Sequence, residues 1–210
     1  MNYAQIVSLA VMYADREDIE VNSNVDNFIL LTEARINRLL KTREQTGRIA
    51  APTREDEEYY CLPNDYRGMR DIQLNSSLPN TEHKVTQLHY LSPEQMNVQR
   101  EKETQSRMYY TVIANKLQVW PRPPGGCSIE MIYYRELPNL REEEGFDSNW
   151  LSESHPDIYN AGITGEIETF AKNYEIADSW FKKLSTMVGE LDYADDLERW
   201  AGQALVMRAG

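Results

Sequence analysis

The spacing of apolar positions changes twice along the chain and divides it into three parts. In the last third, apolar residues recur at intervals of three and four between residues 158 and 191, which predicts two helices or one kinked helix with a wide apolar stripe. Ser154, Pro156 and Asp157 offer a hydroxyl cap, a first-turn proline and a carboxylate at the positive helix end. They place the helix start close to His155. So wide an apolar stripe has to be covered, and the rest of the chain is expected to cover it.

The N-terminal part carries the same helical spacing. Apolar residues between Tyr3 and Tyr13 predict a short amphipathic helix. A second, longer helix is predicted from Val25 to about Thr46, where Gly47 stops it. Because both ends of the chain present apolar helical faces, we expect the N- and C-terminal helices to pack together as a bundle.

In the middle of the chain the spacing changes to short alternating segments, rich in Val, Ile and Tyr and separated by turn residues. The predicted strands cover residues 58–62, 67–75, 85–91, 108–113, 116–120 and 127–135. Ser92 and Gln95 predict a capping box for a short helix between the third and fourth strands, with Pro93 at its first position. We interpret the strands as an antiparallel meander with one buried face and one wet face.

These patterns together predict an α+β fold. Helices from the two ends form a bundle, and an antiparallel β-meander subdomain is inserted between them. The predicted parts are the N-terminal helices in residues 1–50, the inserted sheet in residues 51–147, and the C-terminal helices with a terminal tail in residues 148–210.

Composition limits the classes of function. The 210 residues are 41% hydrophobic and 27% charged, which suits a globular chain with a real core. With 22 Lys and Arg against 34 Asp and Glu, the net charge of -12 argues against tight binding to a phosphate backbone. An acidic wall would still suit DNA that slides past without sticking. No apolar stretch approaches the roughly 20 residues that span a bilayer, and no signal segment is evident, so a soluble, unsecreted protein is expected.

Motifs that carry chemistry are sparse. Cys61 and Cys127 lack CxxC spacing and are expected to be buried, reduced thiols. His83, His89 and His155 do not have the spacing of a metal site. The signatures of nucleophile-elbow hydrolases, P-loop enzymes and dinucleotide binders are absent from the sequence. We therefore predict no catalytic residue, no cofactor and no metal, and treat the many carboxylates as solvated unless the fold separates their pKa values in a cleft.

Two glycines interrupt the first C-terminal helix. Gly162 and Gly165 each cost about 1 kcal/mol relative to alanine inside a helix, so something should compensate for them. We favour close backbone packing within the subunit as the reason. The alternative is a bend or a close crossing at a subunit boundary.

Two further features suggest contacts with other molecules. Positive charge gathers at the end of the second helix in an otherwise acidic chain, at Arg35, Arg38, Lys41, Arg43 and Arg48. It indicates either a solvated face completed by Glu33 and Glu44 or a docking surface for an acidic neighbour. The other feature is the apolar end of the chain. An exposed apolar tail would be a liability in a monomer, so this segment either docks on a partner or folds back; its residues are Leu205, Val206 and Met207, followed by Arg208.

Several short segments, taken in order, carry a family likeness across nearly the whole chain. They are LLTEARINR (30–38) with KTRE (41–44), LPNDY (62–66), LSPEQ (91–95), LQVWP (117–121), NWL (149–151) with HPDIY (155–159), and RW (199–200) with MR (207–208). In these segments the sequence resembles the head-to-tail adaptor proteins of tailed bacteriophages, also called connector or head-completion proteins. The longer polar loop at residues 99–107 departs from the family pattern.

The resemblance implies a structural function. About a dozen copies would form a ring beneath the portal of the filled capsid, extend the DNA channel and give the tail a docking surface. The implied partners are further copies of the chain, the portal protein and a tail or nozzle protein. DNA would pass through the lumen without sequence-specific binding, and no membrane would be involved. The implied location is the head-tail junction of the virion, with assembly in the host cytoplasm.

The resemblance also suggests roles for the two surface features. The candidates for charge pairing between neighbouring subunits are Arg35, Arg38 and Lys41, and the candidates for contact with the portal are Leu205, Val206, Met207 and Arg208. Two alternatives from other classes stay open at this point. One is a tail-associated hydrolase with an acidic pair, and the other is a stand-alone soluble binding module.

Overall fold

The computed structural model of the protein describes residues 1–16, 18–76, 84–102 and 107–201. The chain divides into two compact units. The helical unit consists of Met1–Gln45 and Leu137–Gly210, and the sheet unit consists of Thr46–Glu136. In sequence, therefore, the sheet unit is a single stretch inserted between the two halves of the helical unit.

Within the described residues, the order of elements is helices, then strands, then helices. The first helices are α1 (Tyr3–Ala14), α2 (Ile19–Ser23) and α3 (Val25–Leu39), followed by a 3₁₀ turn at Arg43–Gln45. The sheet unit contains β1 (Thr46–Pro52), β2 (Tyr59–Cys61), β3 (Tyr66–Ser76), β4 (Lys84–Tyr90), α4 (Pro93–Arg100), β5 (Met108–Ile113), β6 (Lys116–Trp120) and β7 (Ser128–Arg135). The last helices are α5 (Trp150–Ser154), α6 (Pro156–Phe170) and α7 (Tyr174–Ala201). The predicted α+β class is confirmed.

The second N-terminal helix is shorter than predicted. α3 stops at Leu39, well before the expected end at residue 46, because Leu40 adopts an extended backbone with φ −77° and ψ 133°. Of the residues assigned to the end of the helix, Arg43–Gln45 form the 3₁₀ turn and Thr46 begins strand β1. Gly47 lies within that strand, where an added Cβ would approach the Tyr133 ring to 3.0 Å. Glycine is therefore used here for a close approach and not as a helix stop.

The first long C-terminal helix begins where the sequence placed it. Pro156 is the first residue of α6, and His155 precedes it as the N-cap. The expected hydroxyl cap is wrong, because Ser154 ends the short helix α5 and makes no cap hydrogen bond to α6. α5 has its own capping box, in which the side chains of Asn149 and Ser152 each accept a backbone N–H of the other.

Apolar residues from both ends of the chain share one core in the helical unit. The sequence left open whether the C-terminal stripe is one kinked helix or two helices. It is two, because Lys172 adopts a left-handed backbone with φ 65° and the chain reverses between α6 and α7. The fully buried side chains that fill this core include Ile6, Ile29, Ile36, Leu151, Tyr159, Ile163 and Leu184.

The two helical glycines lie where α6 meets its neighbours most closely. A Cβ added at Gly162 would overlap the methyl carbon of Thr32 in α3. A Cβ added at Gly165 would approach the ring of Phe181 in α7 to 2.7 Å. The prediction of close packing within the subunit is confirmed at both positions.

The strands form a mixed sheet in the order β1-β7-β3-β4-β5-β6-β2, which curls into a half-barrel. Neighbouring strands are antiparallel except β4 and β5, which run parallel with Leu88 opposite Met108. The predicted antiparallel meander is therefore wrong. Helix α4 provides the crossover that a parallel pair needs, and β7 pairs over a long sequence distance with both β1 and β3. The alternation of apolar and polar residues within a strand does not indicate which other strand it pairs with, so neither the parallel pair nor the pairs of β7 could be predicted from it.

Alternation does place the side chains correctly on the two faces of the sheet. Ile129, Met131 and Tyr133 are buried, as predicted from their period of two. Cys127 is buried and Cys61 is exposed, and both are free thiols. The expected burial of Cys61 is wrong, because β2 turns its central residue into the core and its two ends outward.

Candidate docking surfaces

Arg35, in the middle of α3, is held inside its own subunit. Its Nη2 lies 3.1 Å from Glu166 Oε1 on α6. Its guanidinium carbon lies 3.8 Å from the centre of the Phe181 ring, the same ring that packs against Gly165. A cation over an aromatic face adds to the ion pair, so Arg35 joins α3, α6 and α7. Its side chain is only about a third exposed, at 34%.

Arg43, just beyond α3, is also bound within the subunit. Its Nε donates to Asp195 Oδ1 at 2.6 Å, and its backbone N–H donates to Asp195 Oδ2 at 3.2 Å. A second guanidinium nitrogen binds Glu198. Hydrogen bonds to Asp195 and Glu198 raise the pKa of Arg43 above its usual value. Arg43 therefore fastens the segment after α3 to the last turns of α7.

Arg38 and Lys41 differ from these two arginines because their side chains are exposed. Neither forms an ion pair with another residue in the described part of the chain. The Lys41 backbone N–H donates to Asp192 Oδ1 at 3.1 Å, which fixes the backbone, and the charge of the exposed Lys41 side chain partly offsets the rise that burial causes in the pKa of Asp192. Leu31, which is 51% exposed, lies on the same face of α3 as Arg38. We call Leu31, Arg38 and Lys41 the basic patch.

Arg48 belongs to the sheet unit and contributes to a different contact. It pairs with Glu130 across the β1 and β7 ladder. Glu130 also accepts a hydrogen bond from Asn75 at 2.8 Å. Burial acts to raise the pKa of Glu130, but hydrogen bonds from Arg48, Gln73 and Asn75 outweigh it and lower the pKa overall. The five cations that the sequence grouped together thus separate into bound arginines and the basic patch.

A cleft of about 370 Å³ lies beside the first half of α3. Its apolar floor is formed by Ile29, Leu30 and Leu140, and Leu30 is 55% exposed. Among the described residues that line the cleft, three exposed carboxylates and the cation Arg141 stand around the floor; the carboxylates belong to Asp26, Glu142 and Glu143. We call this cleft the acidic groove.

Hydrogen bonds from buried groups hold the wall of the acidic groove in place. Glu33, only 2% exposed, accepts the Leu140 N–H at 2.7 Å and the Tyr159 hydroxyl at 2.9 Å. Asn149 donates to the Tyr159 oxygen at 2.7 Å and to the Pro138 carbonyl at 2.9 Å. Burial, with the nearby Glu33 charge, raises the pKa of Tyr159 above its usual value. The segment that returns from the sheet unit is therefore fixed against α3 and α6.

The opposite end of the same groove wall is anchored by α1. The Tyr3 hydroxyl donates to Asp26 Oδ1 at 2.7 Å, and the Tyr3 N–H donates to the Asp147 carbonyl at 2.7 Å. Burial, with the hydrogen bond to Asp26, raises the pKa of Tyr3. Because hydrogen bonds hold the Asp26 carboxylate and the backbone at Leu140, this part of the groove is preformed and needs little rearrangement to receive a partner.

A second buried glutamate, Glu58, lies at the centre of a polar cluster in the sheet unit. Glu58 accepts Gln118 Nε2 at 2.6 Å, and its carboxylate lies 3.3 Å from Arg100 Nε and 3.6 Å from Arg122 Nε. Arg100 also lies over the Trp120 ring at 5.5 Å. These contacts fasten the C-terminal end of α4 to β6. Sequence reasoning missed this cluster, because its members lie far apart along the chain and share no local spacing.

No group of three or more potential metal ligands is found in the described ranges. Among the helices within those ranges, none is both long and apolar enough to cross a bilayer. Four predicted portal contacts lie outside the described residues, as does His83; they are Leu205, Val206, Met207 and Arg208.

Comparison with known proteins gives one family. The family model described as SU10 adaptor protein matches residues 1–208. No curated protein matches the chain at a significant level. The family match includes residues of both the helical unit and the sheet unit.

Proposed function

The chain belongs to the SU10 adaptor protein family, a family of phage structural adaptors, and we therefore propose that it is the head-to-tail adaptor of a tailed phage. In this proposal about a dozen copies form a ring under the portal, extend the DNA channel and present a docking surface to the tail. The observation that carries the proposal is the family match over residues 1–208. Family membership favours a virion component with a structural role and not an enzymatic one.

The physical properties of the chain agree with such a ring. Subunits that contact one another head to tail close into a ring when the rotation between them divides a full turn. The net charge of -12 would give the channel a repulsive wall, along which DNA moves without being held. The helices from both ends of the chain would serve as the bundle that bears the ring contacts, with the sheet unit attached to it.

The proposed partners follow from the same assignment. They are neighbouring copies of the chain, the portal protein above the ring, and a tail or nozzle protein below it. Leu205, Val206, Met207 and Arg208 are the proposed portal contacts, and Arg35, Arg38 and Lys41 are the proposed charges at the subunit boundary. Because Arg35 is bound to Glu166 in its own subunit, we give it the task of positioning α3, and give the contact itself to Arg38 and Lys41.

Mass measurement tests this function. The purified chain is weighed by mass photometry alone and after mixing with a purified portal ring from the same phage. We expect either a high-order oligomer or a portal-bound ring, and electron microscopy of that complex should show added density on the portal. Removal of residues 205–210 should abolish portal binding. A chain that stays monomeric, ignores the portal and turns over a cell-wall fragment would overturn the proposal in favour of a hydrolase.

A further inference from the structure

We propose that the acidic groove of one copy receives the basic patch of a neighbouring copy, so that α3 and the segments next to it contribute to both halves of the subunit contact. The inference rests on the proposed function, because it specifies which surfaces close the ring. Its two halves are the groove of Asp26, Leu30, Glu142 and Glu143 and the patch of Leu31, Arg38 and Lys41.

The acidic groove has the properties of a docking surface for a cationic and partly apolar partner. Leu30 is 55% exposed beside a cleft of about 370 Å³, next to the buried side chains of Ile29 and Leu140. The rim places the exposed carboxylates of Asp26, Glu142 and Glu143 around this apolar floor, with Arg141 as the one cation among the described lining residues. Such a groove accepts aliphatic stems below and positive groups at the edge.

The basic patch has the complementary properties. The side chains of Arg38 and Lys41 are long aliphatic stems with terminal charges, and both are exposed. Leu31, on the same helix face, and Leu39 add exposed apolar surface at 51% and 40%. Charge complementarity between the two surfaces of one chain is the reason for choosing a second copy as the occupant of the groove. It steers the encounter and fixes the register of the contact.

The two surfaces lie at different places along α3. Asp26 and Arg38 are separated by about 18 Å along the helix axis and by about 120° around it. Each copy can therefore offer its patch to one neighbour and its groove to another, which is the heterologous contact that a ring needs. The competing arrangement is a two-fold dimer in which each patch meets the groove of the other copy, and a dimer in mass photometry would overturn the ring contact.

Two charge-reversed variants test the contact directly. One carries Arg38→Glu and Lys41→Glu, and the other carries Glu142→Lys and Glu143→Lys. Neither should assemble alone, because like charges then face each other, and we expect the assembled fraction by mass photometry to fall at least tenfold in each. A one-to-one mixture of the two variants should assemble again, because every patch then meets a groove of opposite charge.

Matched controls carry the same changes of charge elsewhere on the surface. Lys116→Glu with Lys182→Glu repeats the first change, and Asp178→Lys with Glu190→Lys repeats the second. All four positions are exposed. The controls should assemble as the unchanged chain does, and circular dichroism melting should show that every variant is folded.

The outcomes separate this inference from the function on which it rests. Restored assembly in the mixture, with each variant inactive alone, supports the contact. Variants that assemble normally, or a mixture that stays dissociated while the unchanged chain forms rings, overturn the contact and leave the adaptor function intact. An unchanged chain that never assembles, even on portals, overturns both. If the variant with Glu142→Lys and Glu143→Lys alone loses binding to a portal or tail protein, the groove belongs to that partner. This result would overturn the contact between copies.

Discussion

Each unit buries a glutamate to fasten a long connection, but the two use different partners. In the helical unit, Glu33 accepts hydrogen bonds from the neutral donors Leu140 N–H and Tyr159 hydroxyl. In the sheet unit, Glu58 accepts from Gln118 and lies between Arg100 and Arg122. The side chains of the two arginines are 37% and 47% exposed, so water can replace Glu58 as their partner. Water reaches the donors of Glu33 far less easily, because Tyr159 is fully buried.

The contrast indicates how much stability each unit loses when its buried glutamate is removed. A buried neutral donor that loses its acceptor keeps the full cost of its desolvation, whereas a half-exposed cation regains solvent. The wall of the acidic groove should therefore be the more rigid of the two regions. The attachment of α4 to the sheet should be the more easily opened and the more sensitive to salt.

The largest expected effect comes from Glu33→Ala. The change leaves the Leu140 N–H and the Tyr159 hydroxyl buried without this acceptor, and we expect the free energy of unfolding of the helical unit to fall by about 3 kcal/mol. Urea unfolding followed by helical circular dichroism measures the loss. Hydrogen exchange should show the Leu140 amide losing its protection.

Glu33→Gln is the matched control for this change. Both donors bind the same oxygen, Oε1, and the amide oxygen of glutamine can still accept them, so the loss should be smaller than that of the alanine variant. Equal losses in the two variants would show that the charge of Glu33, and not its acceptor geometry, holds the return segment.

The next effect is smaller and tests the rigidity of the helical unit by a different route. Gly162→Ala places a methyl group against Thr32, and we expect a cost of about 2 kcal/mol in the free energy of unfolding. Gly189→Ala, in α7, is the control, because an added Cβ there meets nothing within 4 Å. It should stabilise the protein by about 0.5 to 1 kcal/mol. If Gly162→Ala left the free energy of unfolding unchanged, α3 and α6 would be able to move apart without loss of stability.

Glu58→Ala should cost less than Glu33→Ala. Gln118 loses a charged acceptor, but Arg100 and Arg122 return to water, so we expect a loss of about 1.5 kcal/mol in the stability of the sheet unit. Hydrogen exchange of α4 amides measures it most directly. In the unchanged chain, α4 exchange should quicken as salt is added, and Glu58→Ala should remove that salt dependence.

The smallest expected effect is a difference in pH dependence between the two units. The folded-state pKa of Glu130 in the sheet unit is lowered, so its contribution to stability is present above the unfolded-state pKa and is lost as the pH falls through the folded-state pKa. The folded-state pKa of Asp192 in the helical unit is raised, mainly by burial, so its contribution has the opposite sign and declines as the pH rises through that value.

Two variants measure this difference. Glu130→Gln should make the sheet unit less sensitive to acid, and Asp192→Asn should remove the decline of the helical unit with rising pH. Melting temperatures between about pH 3 and 6 cover both titrations, since ordinary carboxyl pKa values lie near 4. If both substitutions changed the slope of melting temperature against pH in the same direction, the opposite pKa shifts assigned to Glu130 and Asp192 would be contradicted.

Much of the secondary structure was predictable from local spacing. Short segments rich in Val, Ile and Tyr between turn residues identified β5 at residues 108–113 and β6 at residues 116–120, and the capping signals of Ser92 and Gln95 identified the start of α4. The strand order was not predictable, because the pairing of β7 with β1 and β3 joins segments distant in sequence. The end of α3 was missed for a related reason. The carboxylates that accept the Lys41 and Arg43 amides lie on α7.

The candidate surfaces show the same division. The sequence located a concentration of cations around α3, but it could not distinguish Arg35, which binds Glu166, from Arg38, which faces solvent. The acidic groove and the Glu58 cluster left no local signal at all. Their residues converge from separate segments only after folding.

The sequence by itself determined the class of the fold, the faces of most elements and the family of the protein. These depend on residue types at short spacings, where the period of a helix or strand decides which side chains share a face. Only the tertiary structure decided which donor each buried carboxylate binds, which cations near α3 form ion pairs within the subunit, and where a groove opens beside α3. Those outcomes depend on distances between segments far apart in the chain, and the free energy of each contact changes with burial in a way that no local pattern records.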